Sequence, residues 1–425
     1  MGLNGEIITI GNELITGVQI DTNAPYLAER LLSRGIRVQR ILSVGDDETA
    51  ITEALQESMT RSDIVLVTGG LGPTSDDITT EVVTRVLRRK LQWYPEVWEK
   101  IKRRISSFGL EITEGQKKQA CIPEGAELIP NPIGTAPGFL VKEGDKVLIV
   151  LPGVPREMEI MMEESVLLRL EKEYKDRLYF QSQALMVFGI SESKADELLK
   201  DVTNKQDEVQ VSFLPRFPEI RIRVTVHGSS SEEAFKKLDY WGKEIRKRLE
   251  PYVFGVDGES MEEVVGNLLR EEKATIAVAE SCTGGLIGHR LTNIPGSSDY
   301  VERVVVTYSN QAKIDLLNVP EEVIRSYGAV SELTARFMAE GVRALAGTTL
   351  GLSTTGIAGP SGGSAEKPVG TVFISLADGK EAWTKGYHFP GDRHQIKLMT
   401  SQVALNRVRL YFVKKKGEMK GLQVK

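Results

Sequence analysis

Residues 63–89 read DIVLVTGGLGPTSDDITTEVVTRVLRR, and this stretch decides how the N-terminal part of the chain folds. Ile64, Val65, Leu66 and Val67 form a short run that is apolar at every position. Such a run suits a strand buried on both faces, as in a parallel sheet covered by helices. Gly69, Gly70 and Gly72 break the run, and ITTEVVTRVLRR then takes up helical apolar spacing. The same strand-then-helix grammar repeats on either side. EIITI precedes TNAPYLAERLLSRG, where Leu27, Leu31 and Leu32 recur at helical spacing and Gly35 supplies the stop. IRVQRILSV precedes the helix through TAITEALQESMT, and KVLIVLPG precedes PREMEIMMEESVLLRLEKEY. Strands separated by helices pair in parallel, which needs helices on both faces of the sheet.

Further along, the pattern changes and then returns. Residues 176–257 run strand, helix, two alternating strands EVQVSFLP and EIRIRVTVHG, then an amphipathic helix opened by serines and glutamates. This β-α-β-β-α order predicts a small α+β unit, and FGVDGES reads as the linker after it. Residues 258–413 alternate again, from MEEVVGNLLREE and TIAVAE to the closing helix DRHQIKLMTSQVALNRVRLYF. Residues 414–425 read as a loose basic tail. The expected fold is therefore α/β: two three-layer α/β domains, 1–175 and 258–413, with mainly parallel sheets, joined by a small α+β domain.

The chain has 425 residues, which is too long for one ordinary core. Its hydrophobic fraction of 41% and charged fraction of 27% exclude wholesale disorder. Lys and Arg total 54 against 59 Asp and Glu, for a net charge of -5. Without a basic excess, nucleic acid is not expected as the main partner. Two cysteines, Cys121 and Cys282, argue against a disulfide framework and fit a reducing compartment. The opening MGLNGEIITIGNEL lacks signal-peptide character, and no apolar run reaches membrane-spanning length. A cytoplasmic protein that makes no use of a membrane is expected. The 40 glycines exceed the usual level of about 7%. They cluster in loops after β-branched runs, which suits close approach of backbone to a ligand.

In TGGLGPTSDD, residues 68–77, the glycines allow that approach, while Thr68, Thr74 and Ser75 offer hydroxyls at the carboxyl end of a strand. Asp76 and Asp77 have two readings. They could hold a divalent cation against phosphate oxygens, or one could cap the following helix while the other complements its dipole. Together, ITIGNELITG, TGGLGPTSDD, NPIGTAPGF and LPGVPREM resemble the N-terminal part of the CinA (competence/damage-inducible) family, a molybdopterin-binding-like fold. The resemblance implies metal-dependent hydrolysis of ADP-ribose to AMP and ribose 5-phosphate. It makes Glu13, Asn23, Asp76, Asp77 and Glu157 candidates for handling metal and pyrophosphate. Asn12 stands where relatives commonly carry an acidic residue. The competing reading is a module that holds a pterin or nucleotide without turnover.

In TIAVAESCTGG, residues 275–285, Ser281 and Cys282 lie in a strand-to-helix turn, where a hydroxyl sits near helix-terminal N–H groups able to hold an oxyanion. A serine nucleophile needs a base. His289 belongs to no acid–base motif and reads as structural or solvent-facing. Tyr308 and Lys313 in TYSNQAK are the other candidates, because a desolvated lysine loses its proton readily. An exposed helix lysine is the alternative. Thr355, Gly356 and Gly359 in TTGIAGPSGG supply further polar groups. Asp392 can cap the last helix, and Arg393 either meets a phosphate or forms a surface ion pair.

AESCTGG, TYSNQAK, GAVSELTA, TTGIAGPSGG and KPVGTVFISL together resemble the nicotinamide-nucleotide amidase domain of the same family, which converts NMN to nicotinate mononucleotide and ammonia. That resemblance implies Ser281 as nucleophile with Tyr308 and Lys313 activating it, and Cys282 as the rival. It implies substrate contacts from Thr283, Gly284, Gly285, Thr355, Gly356, Gly359 and Arg393, with no metal at this site. In the long form of the family the middle segment is KH-like. No GXXG loop lies between its helices, so it reads as a spacer or dimer contact, and a homodimer is the expected assembly. The rival to a bifunctional enzyme is a competence-associated scaffold.

Overall fold

The computed structural model describes residues 3–107, 109, 111–174, 178–205 and 208–417. The expected boundary at 175/176 and residues 418–425 of the expected tail lie outside these. The chain divides into two compact units, Met1–Ser182 with Thr225–Tyr240, and Gln183–Val224 with Trp241–Lys425.

The first unit contains a six-stranded sheet in the order Ile36–Val44, Leu3–Ile10, Ile64–Thr68, Lys146–Leu151, Gly138–Glu143, Glu127–Ile129. The first four strands are parallel and the last two antiparallel. Alternate side chains serve opposite faces, as a pleated strand requires. Ile7, Leu66, Ile149 and Leu151 pack with Leu27 and Leu31 of helix Asn23–Ser33 and with Met158 and Met161 of helix Pro155–Met161. Ile8, Val65, Val67, Leu148 and Val150 pack instead with Ile51 and Leu55 of helix Glu48–Arg61 and with Val82 and Val83 of helix Thr79–Val86. Both faces are thus covered, and Ile64–Thr68 is buried throughout. Each such aliphatic side chain contributes roughly 1.5–3 kcal/mol through burial. Thr9 lies opposite Thr68, which lies opposite Leu151, so the loops leaving three parallel strands open at one edge.

The second unit holds a five-stranded sheet in the order Val301–Val306, Ile276–Glu280, Leu350–Gly356, Thr371–Ala377, Ala382–His388. Its first three strands are parallel and its last two antiparallel. Ile276 and Val278 pack with Val265 and Leu269 of helix Met261–Glu271 and with Ile396 and Leu405 of helix Arg393–Lys415. Ala277 and Ala279 pack with Leu317, Met338 and Val342 on the other face. The last helix is capped by Asp392, whose side chain accepts from the Gln395 N–H while Gln395 reaches back to the Asp392 N–H. It continues through Lys415, past the start of the expected tail.

A four-stranded sheet in the order Val209–Arg216, Glu219–Gly228, Tyr179–Val187, Val253–Val256 forms the α+β part, with helices Glu192–Thr203 and Ser231–Leu249. The stretch read as a linker is partly a strand. Val253–Val256 pairs antiparallel with Leu185–Val187, because its Phe254 is apolar enough to be buried. Among the described residues no helix is long and apolar enough to cross a membrane.

Candidate functional sites

At the open edge of the six-stranded sheet lies a cavity of about 480 Å³, whose lining includes Thr68, Gly69, Gly70, Gly72, Asn23, Glu13, Asp76, Asp77 and Glu157. The geometry thus brings these predicted residues together. Thr74 and Ser75 are exposed on the same loop and do not line the cavity. Gly69 has φ +115°, and a Cβ there would strike the Ile10 carbonyl. Only glycine lets this loop cross the neighbouring strand so closely.

Several of these side chains are already engaged. The Thr68 hydroxyl donates to the Pro152 carbonyl at 2.8 Å. The Asn23 amide donates to Thr68 Oγ1 at 3.1 Å and to the Gly153 carbonyl at 2.8 Å. These bonds tie two strand ends to the start of helix Asn23–Ser33. Glu157 accepts from the Asn131 amide at 2.7 Å. Asp77 accepts from the Thr74 N–H at 2.9 Å and from its hydroxyl at 2.5 Å. The helix begins after Ile78 with no side-chain cap, so the capping reading of the aspartates is corrected. Thr74 competes successfully for the Asp77 carboxylate because it lies three residues away in the same turn.

The electrostatics of the rim are acidic. Asp46 accepts from the Asn12 N–H at 2.8 Å, and burial raises its pKa, with Glu13, Asp76 and Asp77 adding like charge. Among the described residues no three His, Cys, Asp or Glu side chains converge to hold a metal ion by themselves. The donor set fits an ion that arrives with phosphate oxygens and keeps part of its water, since magnesium-type sites need only one or two carboxylates.

The second site is built on the turn after strand Ile276–Glu280. The Lys313 ammonium nitrogen, on helix Asn310–Leu317, lies 3.1 Å from Ser281 Oγ and donates to the Thr307 carbonyl at 2.7 Å. Lys313 is 1% exposed, so the exposed-lysine alternative is overturned. Burial pulls its pKa down to about 8. Ser281 is held by its N–H donating to the Thr354 carbonyl at 3.0 Å. Cys282 points the other way, into the apolar cluster around Ile276 and Val278, and burial pushes its thiol up to about 12. A thiol so hard to ionise is a poor nucleophile at neutral pH.

The helix beyond this turn is terminated differently from the sequence expectation. Glu280 is fully buried, and its carboxylate accepts from the N–H groups of Gly285, Ile287 and Gly288 at 2.9, 3.2 and 2.8 Å. The N–H groups expected to meet an oxyanion are therefore engaged by a carboxylate of the protein. Thr283 shares a buried 2.8 Å hydrogen bond with Thr354, and the Thr355 hydroxyl donates to the Ala329 carbonyl at 2.7 Å. Both hydroxyls fasten loops to the sheet. Gly284 and Gly285 have φ +61° and +93°, the left-handed conformations that turn the chain into the helix. Gly356 ends strand Leu350–Gly356.

Arg393 donates to the Gly359 carbonyl at 2.7 Å and to the Tyr308 hydroxyl at 3.2 Å. Neither bond goes to a carboxylate, so its charge is not neutralised by these partners. Tyr308 is 65% exposed and meets Arg393 rather than the serine–lysine pair. His289 is exposed and contacts Asn293.

Four residues escaped the sequence reading. Glu280 closes strand Ile276–Glu280 with no local signal that sets it apart, and Asp46 stands just past the end of strand Ile36–Val44, a position the carboxyl-end rule could have marked. Lys397 lies one helical turn after Arg393, with its ammonium 3.7 Å from where a Cβ on Gly284 would stand; helical spacing would have found it. Gln119 carries no local signal, and its amide reaches the Leu71 carbonyl at 3.0 Å across 48 residues.

Three family models match consecutive parts of the chain. Residues 6–172 match the probable molybdopterin binding domain, 182–255 the damage-inducible protein CinA KH domain, and 258–412 the CinA C-terminal domain. A CinA-like protein from Syntrophus aciditrophicus is 48% identical over 407 residues, covering 95% of this chain and 97% of the relative. Another from Geotalea uraniireducens is 44% identical over 402 residues, covering 95% and 96%. The crystal structure of a competence/damage inducible protein from Agrobacterium tumefaciens is 37% identical, covers 36% of this chain and 96% of that one, and gives a TM-score of 0.35.

Proposed function

The chain belongs to the CinA family, and from that premise we propose that its C-terminal site is a serine amidase acting on nicotinamide mononucleotide. The observation that carries this reading is the Ser281–Lys313 pair, 3.1 Å apart with the lysine buried. Neutral Lys313 takes the hydroxyl proton as Ser281 Oγ attacks the carboxamide carbon. The resulting ammonium then protonates the departing nitrogen, releasing ammonia and leaving an ester on Ser281. Water attacks that ester, with Lys313 again accepting a proton and returning it to Ser281 Oγ. Nicotinate mononucleotide leaves, and one water has been consumed. Arg393 and Lys397 supply cations for the substrate's phosphate, and Tyr308 orients the Arg393 guanidinium through its hydroxyl.

A second activity belongs to the N-terminal cavity, where the acidic rim and Gly-rich loop favour hydrolysis of ADP-ribose to AMP and ribose 5-phosphate. A divalent ion bound with the substrate would neutralise pyrophosphate charge, and Glu13 and Asp76, which line the cavity, would supply carboxylates toward it. The alternative is a cavity that only binds a nucleotide or pterin. Full-length protein incubated with NMN and with ADP-ribose, with and without chelator, tests both. Ammonia from NMN survives chelation, whereas AMP from ADP-ribose disappears. Absence of ammonia under every condition overturns the amidase, and absence of AMP with every metal leaves the cavity as a binding site.

A further inference from the structure

Residues 11–22 leave three large aliphatic side chains in solvent. Ile15 is 55% exposed, and Val18 and Ile20 are each 83% exposed. Of the three, only Ile20 lines the N-terminal cavity, and Val154, 54% exposed, joins it there. The two come from distant segments that one hydrogen bond holds together. The Asn23 amide, three residues after Ile20, donates at 2.8 Å to the carbonyl of Gly153, the residue before Val154. Their exposure leaves both side chains open to a ligand, and their place in the lining puts them where a ligand would lie. This side of the cavity differs from the acidic one. There, Glu13, Asp76 and Asp77 add like charge to Asp46, which gathers four carboxylates. Beside Ile20 and Val154 the carboxylates are engaged by the protein: Asp21 accepts from the Ala24 N–H at 3.0 Å, and Glu157 from the Asn131 amide at 2.7 Å. A phosphate or a hydrated cation laid against two aliphatic side chains gives up water and gains no polar partner. The flat face of a heterocycle gains dispersion contacts there and takes apolar surface out of water.

We propose that Ile20 and Val154 form the seat of the nucleobase, packing against the face of its ring. The charged part of the ligand, with its accompanying cation, then belongs to the acidic side. This inference rests on the reading of the cavity as a nucleotide site, and it deepens that reading by fixing which side takes the base. Ligand cavities of this size draw their contact area from apolar side chains and their orientation from a few polar groups. Here the two functions fall to different sides of one cavity, and the apolar side is already accessible.

The test is calorimetric titration and displacement on full-length protein in magnesium buffer, with AMP and with ribose 5-phosphate, which keeps the sugar and phosphate but has no base. Wild-type protein should bind AMP about 30-fold or more tightly than ribose 5-phosphate. Ile20→Ser and Val154→Ser should each weaken AMP roughly 5–10-fold while moving ribose 5-phosphate less than about 2-fold, so the gap narrows. Val18→Ser, equally exposed in the same segment but outside the lining, should change neither affinity. All three substitutions are at exposed positions, and the wild-type comparison needs no variant at all. Equal affinity for the two ligands in wild-type protein that still hydrolyses ADP-ribose overturns the base seat and leaves the nucleotide reading standing. The inference also falls if Ile20→Ser and Val154→Ser weaken both ligands equally or affect neither, or if Val18→Ser acts as strongly as Ile20→Ser. A shift in oligomeric state on light scattering with the gap intact assigns the aliphatic pair to a contact between copies and overturns it as well. If neither AMP nor ADP-ribose binds, the nucleotide reading and the inference fall together.

Discussion

The turns at Thr68–Gly72 and Ser281–Gly285 occupy the same place in their sheets, at the carboxyl end of an interior parallel strand. They use that place in opposite ways. After Thr68 the loop runs past two aspartates before helix Thr79–Val86 begins, and no side chain caps the helix. Carboxylates are left around an open cavity. After Glu280 the helix begins almost at once, and the Glu280 carboxylate takes up three of its N-terminal N–H groups. An anionic ligand cannot use those three N–H groups, and the cations nearby are the side chains of Arg393 and Lys397. The same topology thus supports an open cavity with an acidic rim in one unit and a buried serine–lysine pair in the other.

The contrast can be broken or sharpened by four measurements. Ser281→Ala should lower ammonia release from NMN by about four orders of magnitude or more, while Cys282→Ala should change it less than about 10-fold. The reverse ranking would move the nucleophile to the thiol and remove the role given to the lysine. Lys313→Met should cost roughly 10³-fold. Because the reaction needs the neutral amine, wild-type activity should rise with pH through about 8, and that limb should vanish in the variant. A wild-type profile flat between pH 7 and 9 would dissociate Lys313 from proton transfer.

The helix-end contrast itself is tested by stability. Glu280→Ala leaves three N–H groups without their acceptor and should cost about 3 kcal/mol in chemical denaturation. Thr68→Val, at the matching end of the other strand, removes two neutral hydrogen bonds, one to Pro152 and one from Asn23, and should cost about 1–2 kcal/mol. Equal losses would mean that Glu280 is not the organising group proposed for this turn. The smallest effect expected is on substrate capture. Lys397→Ala should raise KM for NMN about 10-fold with kcat nearly unchanged, as for a group that binds ground and transition states alike. A fall in kcat instead would place the ammonium near the reacting carboxamide.

Much of the architecture was legible from local pattern. Ile64–Val67 announced a strand buried on both faces because every position was apolar, and the helices around it carried their periodicity openly. Ser281 and Lys313 were visible as chemical types in separate motifs. Their contact spans 32 residues, a separation that periodicity cannot bridge. The Asp76–Asp77 pair was read as capping or metal-binding, yet Asp77 bonds back to Thr74. Several short-range partners compete within such a turn, and the backbone path selects among them. Gln119 was invisible because an isolated polar residue gains meaning only from what packs around it.

The sequence by itself determined most of the order of strands and helices, though not the helix Pro95–Ser107 or the antiparallel strands Glu127–Ile129 and Gly138–Glu143, together with the placing of glycines where the chain must turn sharply and the membership of a family. These follow from side-chain size, branching and backbone freedom, which act over a few residues at a time. Tertiary structure alone decided which hydroxyl meets which amine, which carboxylate is consumed by a helix end, and which exposed aliphatic side chains line the cavity. Those outcomes depend on burial and on contacts across dozens of residues. Burial is what brings a lysine's pKa down to about 8 and lifts a neighbouring thiol's to about 12, so Ser281 and Cys282, adjacent in sequence, have different chemistry in the fold.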